Sequence, residues 1–102
     1  LGYHFLNLIR RINMERCKII LEAKDLITSD RAKDYGDAHQ NFLNISKGWS
    51  VIFGVNVTPE KVALAMDWLK TCRLINSPEH VDSWIDKVGY SALGGEVAIR
   101  ED

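Results

Sequence analysis

Proline and cysteine each occur only twice in these 102 residues, and the position of each narrows the field. Pro59 and Pro78 fall between apolar-periodic segments, so neither interrupts a predicted helix interior. Cys17 and Cys72 stand far apart among apolar residues at helical spacing. That placing suits small buried hydrophobes in a reducing compartment better than a disulfide or a metal pair. No apolar run approaches the roughly 18 residues of a membrane span. No small-residue cleavage site follows the apolar, arginine-bearing start Leu1–Ile12, so a secretory leader is not indicated and a cytoplasmic location is expected. Charge of one sign is also lacking: 13 basic and 14 acidic residues leave a net charge of -1. No global field therefore draws the chain to nucleic acid or membrane. The one local basic group, Arg10-Arg11 with Arg16 and Lys18, is no DNA-binding signature. A Gly-rich phosphate loop, HExxH, paired CxxC and GxSxG are absent. His4, His39 and His80 are scattered, and no serine or cysteine has an evident adjacent base, so nucleophilic catalysis is unsupported.

What is present is a single globular domain. The 46% hydrophobic and 26% charged fractions are ordinary for a folded chain, and the length permits one core with a high ratio of surface to volume. The chain opens on Leu1, while Met14 precedes the first strongly periodic segment. Residues 1–13 are therefore read as an N-terminal extension that need not be native, and 14–102 as the domain.

Periodicity predicts four helices and no strand, an all-α bundle. The first runs from about Met14 to Ile27, with Cys17, Ile20, Leu21 and Ile27 at helical spacing beside Ala23 and Leu26. A polar, turn-rich loop, Asp30–Asp37 (DRAKDYGD), follows. The second helix runs from about Ala38 to Phe53, with Asp37 as a candidate cap, a stripe of Phe42, Ile45, Trp49 and Ile52 or Phe53, and Gly54 as a stop. Thr58-Pro59-Glu60 is the strongest start signal in the chain: a capping hydroxyl, a preorganised first residue and an acid at the positive end of the helix dipole. The third helix carries Val62, Leu64, Met66, Leu69, Cys72 and Leu74 around much of its circumference, which predicts the central helix. Asn76-Ser77-Pro78 breaks the chain, and the fourth helix spans about Glu79 to Ile99. Gly89, Gly94 and Gly95 are costly there, each up to about 1 kcal/mol against alanine. Either another helix approaches closely or this helix kinks or ends near Gly94. The glycines, with Trp49, Trp68 and Trp84 as core or interface anchors, predict a homo-oligomer.

Several side chains could carry chemistry. Asp82 and Asp86 lie one turn apart and project from one face. Two hard carboxylates suit Mg²⁺ or Mn²⁺; the alternative is complementarity with the helix dipole. Lys70 and Arg73, three apart in an apolar helix, could hold phosphate, or could form salt bridges, Asp67 with Lys70 or Arg73 with Asp86. In the polar loop Arg31, Asp34 and Tyr35 could close over a nucleotide, with Tyr35 stacking on a base, and Asn41 could bind base or sugar. The same loop could simply connect two helices.

These segments also resemble a known set. Arg31 to Gly36 (R-x-x-D-Y-G), Asn41-Phe42, Trp49, Thr58-Pro59 with Val62-Ala63, Lys70 with Arg73, and His80-x-Asp82-Ser83-Trp84-x-Asp86-x-x-Gly89-Tyr90 resemble, in order, a small helical domain of phage and prophage proteins. The similarity covers about Met14 to Ala98. That domain looks like a distant relative of MazG-like all-α nucleoside triphosphate pyrophosphatases. The resemblance implies a four-helix MazG-like oligomer, Mg²⁺, a nucleotide ligand and cleavage to monophosphate and pyrophosphate. It implies Asp82 and Asp86 as metal ligands, while the chemistry of Arg31, Asp34, Tyr35, Asn41, Lys70 and Arg73 makes them the candidate substrate-binding residues. The E-x-x-E element of those enzymes has no counterpart on the second or third predicted helix; only Asp34 with Asp37 has similar spacing. The expectation is thus a nucleotide-binding protein of phage or mobile-element type, with pyrophosphohydrolase activity as one form and a non-catalytic helical oligomer that binds nucleotide or a protein partner as the other.

Overall fold

A computed structural model describes residues 2–13, 15–28 and 38–100, and all that follows concerns those residues. They form five helices and no strand: α1 Gly2–Asn13, α2 Arg16–Thr28, α3 Ala38–Phe53, α4 Pro59–Asn76 and α5 Val81–Ile99. The last four match the predicted helices closely. The additional helix, α1, falls on the segment read as an extension. The loop residues Arg31, Asp34 and Tyr35, with the candidate cap Asp37, lie outside the described residues. No described helix is long and apolar enough to cross a membrane.

The helix ends follow from local chemistry. Gly54 takes a left-handed backbone, φ 70°, and its N–H donates to the Ser50 carbonyl at 3.0 Å, which stops α3 where a residue without Cβ was expected to stop it. The Ser50 hydroxyl then ties the connection down. It accepts from the Val57 N–H at 2.9 Å and lies 2.7 Å from the Ser46 carbonyl, to which it donates. Thr58 is the N-cap residue of α4, with Pro59 opening the helix. Its hydroxyl does not bond a backbone N–H, as a cap would; it donates instead to Glu60 Oε1 at 2.6 Å. That bond, followed by one from the Glu60 backbone, holds the Glu60 carboxyl below its ordinary pKa.

α4 and α5 form the most extensive helix pair, an antiparallel hairpin about the turn 77–80; α2 also packs on α5, and α3 on α4. The core has two parts. Ala23 of α2 meets Val81 and Ile85 of α5, with Ile19, Leu26 and Val88 beside them. Phe42 of α3 meets Val62 and Ala63 of α4, with Trp49, Tyr90 and Leu93 among the residues around them. Residues of α5 line both parts, so the last helix is the central one, in place of α4.

Three expectations about facing change with this. α2 buries Ala23 and packs Ile19 and Leu26, while Ile20 and Leu21 are exposed; three consecutive apolar residues at 19–21 left its inner face ambiguous. α3 buries Phe42 and packs Ile45 and Trp49, but Ile52 and Phe53 lie exposed beyond the core. Cys17 and Cys72 are free thiols as expected, yet exposed instead of buried.

The glycines of α5 resolve in favour of close approach. The helix continues through Gly94 to Ile99, and a Cβ added at Gly94 would sit 2.7 Å from the Ala63 Cβ. α4 and α5 therefore meet at a separation that only glycine permits. This close approach is made within the chain, so Gly94 is no argument for an oligomer. A Cβ on Gly89 would meet Ile27 at 3.3 Å, whereas one on Gly95 would meet nothing within 4 Å.

Candidate functional site at the α4–α5 hairpin

The turn between α4 and α5 is built from backbone and side-chain hydrogen bonds. The Ser77 N–H donates to the Arg73 carbonyl at 3.0 Å, and the His80 N–H to the Ser77 carbonyl at 3.0 Å. His80 Nδ1 and Ser83 Oγ share a hydrogen bond of 2.8 Å, and Ser83 is wholly buried. A buried hydroxyl needs such a partner, because leaving it unsatisfied costs about 1–3 kcal/mol. Trp84 Nε1 donates to the Pro78 carbonyl at 2.8 Å, fixing the indole across the turn.

A turn at 77–80 brings Lys70 level with Asp86 and Asp67 level with Lys87. Both pairs form: Lys70 Nζ lies 3.0 Å from Asp86 Oδ2, and Lys87 Nζ 3.0 Å from Asp67 Oδ1. The Lys87 ammonium also donates to Thr71 Oγ1, and Thr71 Oγ1 in turn donates to the Asp67 carbonyl at 3.2 Å. The four charged side chains are about a fifth to a third exposed. Each pair runs between helices with opposite sign on each strand of the hairpin, so the two salt bridges clamp α4 to α5 in one register. Lys87 was not singled out from the sequence. Its pairing with Asp67 crosses between the helices and leaves no mark in the spacing within either.

Of the residues proposed for a phosphate and metal site, the structure thus joins Lys70 to Asp86. Asp82, one turn nearer the start of α5, is exposed, as is Arg73. Asn41 lies exposed in the first turn of α3. Among the described residues no three His, Cys, Asp or Glu side chains gather as a metal-binding group. Asp86 has the Lys70 ammonium as its counterion at 3.0 Å, and Asp82 lies one turn away. Two carboxylates of this kind fit, at most, a hard cation that arrives with phosphate oxygens and waters completing its shell.

The motif that ends the sequence pattern is largely accounted for by this geometry. His80 and Ser83 close the turn, Trp84 bonds back to it, Asp86 pairs with Lys70, Gly89 admits Ile27, and Tyr90 packs in the second part of the core. Residues 18–98 match the family signature of a domain of unknown function, DUF6378. The chain belongs to that family. It is 36% identical over 85 residues to the Gene 55 protein of Mycobacterium phage L5, an alignment covering 82% of this chain and 54% of the phage protein. To the Gene 55 protein of Mycobacterium phage D29 it is 33% identical over 73 residues, 72% of this chain and 48% of the relative. The chain therefore spans about half the length of the curated relatives it matches. No solved structure matches it significantly. The resemblance to a phage-type domain is thus established, and the residues that carry it from His80 onward hold the DUF6378 hairpin together.

Proposed function

We propose that the chain is a non-catalytic helical association module of phage or mobile-element type, working in the cytoplasm as a component of an oligomer. The observation that carries this reading is the imbalance of its apolar surface. Seven apolar residues are buried among the described residues, while sixteen large ones are exposed. Scattered exposed hydrophobes are normal in a small protein; contiguous ones mark association. The overall form agrees. A radius of gyration of 15.4 Å exceeds the ~13 Å of a compact domain this long. Asp67 and Asp86 serve the fold as ion-pair partners, which leaves catalysis without a gathered set of acids among the described residues. The test is incubation of the protein with a panel of nucleoside triphosphates and Mg²⁺. The reading expects no pyrophosphate above a protein-free control, and release from any nucleotide overturns it.

A second reading, a MazG-like four-helix nucleotide-binding protein, has one observation in its favour. Lys70 and Asp86 stand side by side with Asp82 one turn away. An ion pair left partly open to water can exchange partners. Lys70 would then turn to a phosphate while Asp82 and Asp86 faced its Mg²⁺, with Arg73 and Asn41, and the loop residues Arg31, Asp34 and Tyr35, as further substrate contacts. Calorimetric titration with Mg²⁺-nucleotide tests it. Binding that Asp82→Asn abolishes would support this reading, and heats equal to dilution would remove it.

A further inference from the structure

On α4 the exposed side chains follow a single stripe. Leu64, Trp68, Cys72 and Ile75 recur at four, four and three residues, with Leu69 on the flank, and this spacing keeps them on one side of a helix. Leu64, Trp68, Leu69 and Ile75 are each more than half exposed. Between Leu64 and Ile75 the only exposed residue with a charge is Arg73, at the margin of the stripe. The opposite side of the same helix carries the buried Ala63 and Leu74 and the two salt bridges to α5. α4 is thus packed on one side and apolar on the other, with no described helix over the stripe.

We infer that a second copy of this chain covers it, the two α4 helices packing antiparallel about a two-fold axis level with Lys70. This deepens the association reading above and rests on it. Three features select a second copy over another occupant. The first is area. Side chains of these sizes at these exposures present roughly 500 Å², against the ~800 Å² each partner brings to a standard stable interface. The shortfall can come from Val51, Ile52, Phe53 and Val55, which sit at the short α3–α4 connection beside the start of the stripe. The second is charge. An antiparallel register about Lys70 sets exposed Lys61 near the turn that carries the partner's exposed Glu79, so the one cation at the start of the stripe meets an acid at each end of the interface. The third is shape. The stripe runs about 17 Å from Leu64 to Ile75, and the same register sets Trp68 level with the partner's Cys72, a large anchor opposite a small residue, repeated by symmetry.

The experiment uses light scattering on the full chain at micromolar concentration, with alkylation of Cys72 followed in a Cys17→Ser background. The expected wild-type mass is twice the 11.6 kDa of the chain. Trp68→Glu, and separately Leu64→Glu, is expected to halve that mass with an unchanged helical circular dichroism spectrum and to speed alkylation of Cys72 at least tenfold. A monomeric wild type overturns the inference, as would follow if further sequence of a longer protein covered α4. So does an oligomer whose mass and Cys72 reactivity both substitutions leave unchanged. A monomeric wild type removes the association reading as well, whereas an oligomer that both substitutions leave unchanged removes this interface alone and leaves that reading standing.

Discussion

Lys70 and Asp86 meet at 3.0 Å across the α4–α5 hairpin. These are a residue that sequence reasoning aimed at phosphate and one it aimed at a metal ion, and in the folded chain each neutralises the other. One turn of helix further from the hairpin end, Asp67 and Lys87 repeat the arrangement with the signs exchanged. The exchange matters physically, because sliding α4 away from the turn would bring Lys70 toward the like-charged Lys87, and sliding it the other way would bring Asp67 toward Asp86. Charge pattern and hairpin register are therefore one property of this sequence.

The adjacent glycines of α5 are expected to respond in opposite directions to the same change. A methyl group at Gly94 would lie 2.7 Å from the Ala63 Cβ, and the helices must separate to admit it. Gly94→Ala should destabilise by about 1–3 kcal/mol. Gly95 faces open space, so Gly95→Ala should stabilise by about 0.5–1 kcal/mol through helix propensity. Urea denaturation of the two variants checks both signs.

Ser50 fastens the α3–α4 connection with one oxygen atom. Ser50→Ala removes the acceptor for the Val57 N–H, now bonded at 2.9 Å. The expected loss is about 1 kcal/mol, with hydrogen exchange of the Val57 amide accelerating more than that of amides within α5.

Glu60 supplies a pH dependence of known sign. Its pKa is lowered in the folded chain, chiefly by the Thr58 hydroxyl. The resulting stabilisation is complete above the ordinary glutamate value of about 4.3 and is lost as pH falls through the lowered one. Thr58→Val removes the donor and should raise the Glu60 pKa toward its ordinary value. A carboxyl-detected NMR titration of wild type and variant reads the difference directly.

Much of the fold was legible from local chemistry. Thr58-Pro59 starts α4, Gly54 ends α3, and Ser77-Pro78 separates α4 from α5, each where a specific backbone requirement meets the residue that satisfies it. The faces of the helices were less legible. α4 has apolar residues nearly all round, so periodicity could not distinguish Val62, which is buried, from Leu64, which is exposed. An exposed apolar surface and an apolar surface inside a core obey the same spacing rule. The candidate site divided similarly. Asp82 and Asp86 were correctly placed one turn apart, but the ion pair to Lys70 depends on a contact between helices, and sequence spacing within either helix does not contain it. The turn position did contain it, through the antiparallel register that a short 77–80 connection imposes. Family resemblance also selected His80, Ser83 and Trp84, and their hydrogen bonds show that residues can define a motif by holding a hairpin closed.

A double-mutant cycle on Lys70 and Asp86 reads whether the acids and bases of the hairpin act as a structural clamp. Lys70→Met, Asp86→Asn and the double variant would be compared with wild type by urea denaturation. The expected coupling energy for a partly buried interhelical pair is roughly 0.5–1 kcal/mol, falling as salt is raised. A coupling indistinguishable from zero, with the two single substitutions simply additive, would contradict the clamp.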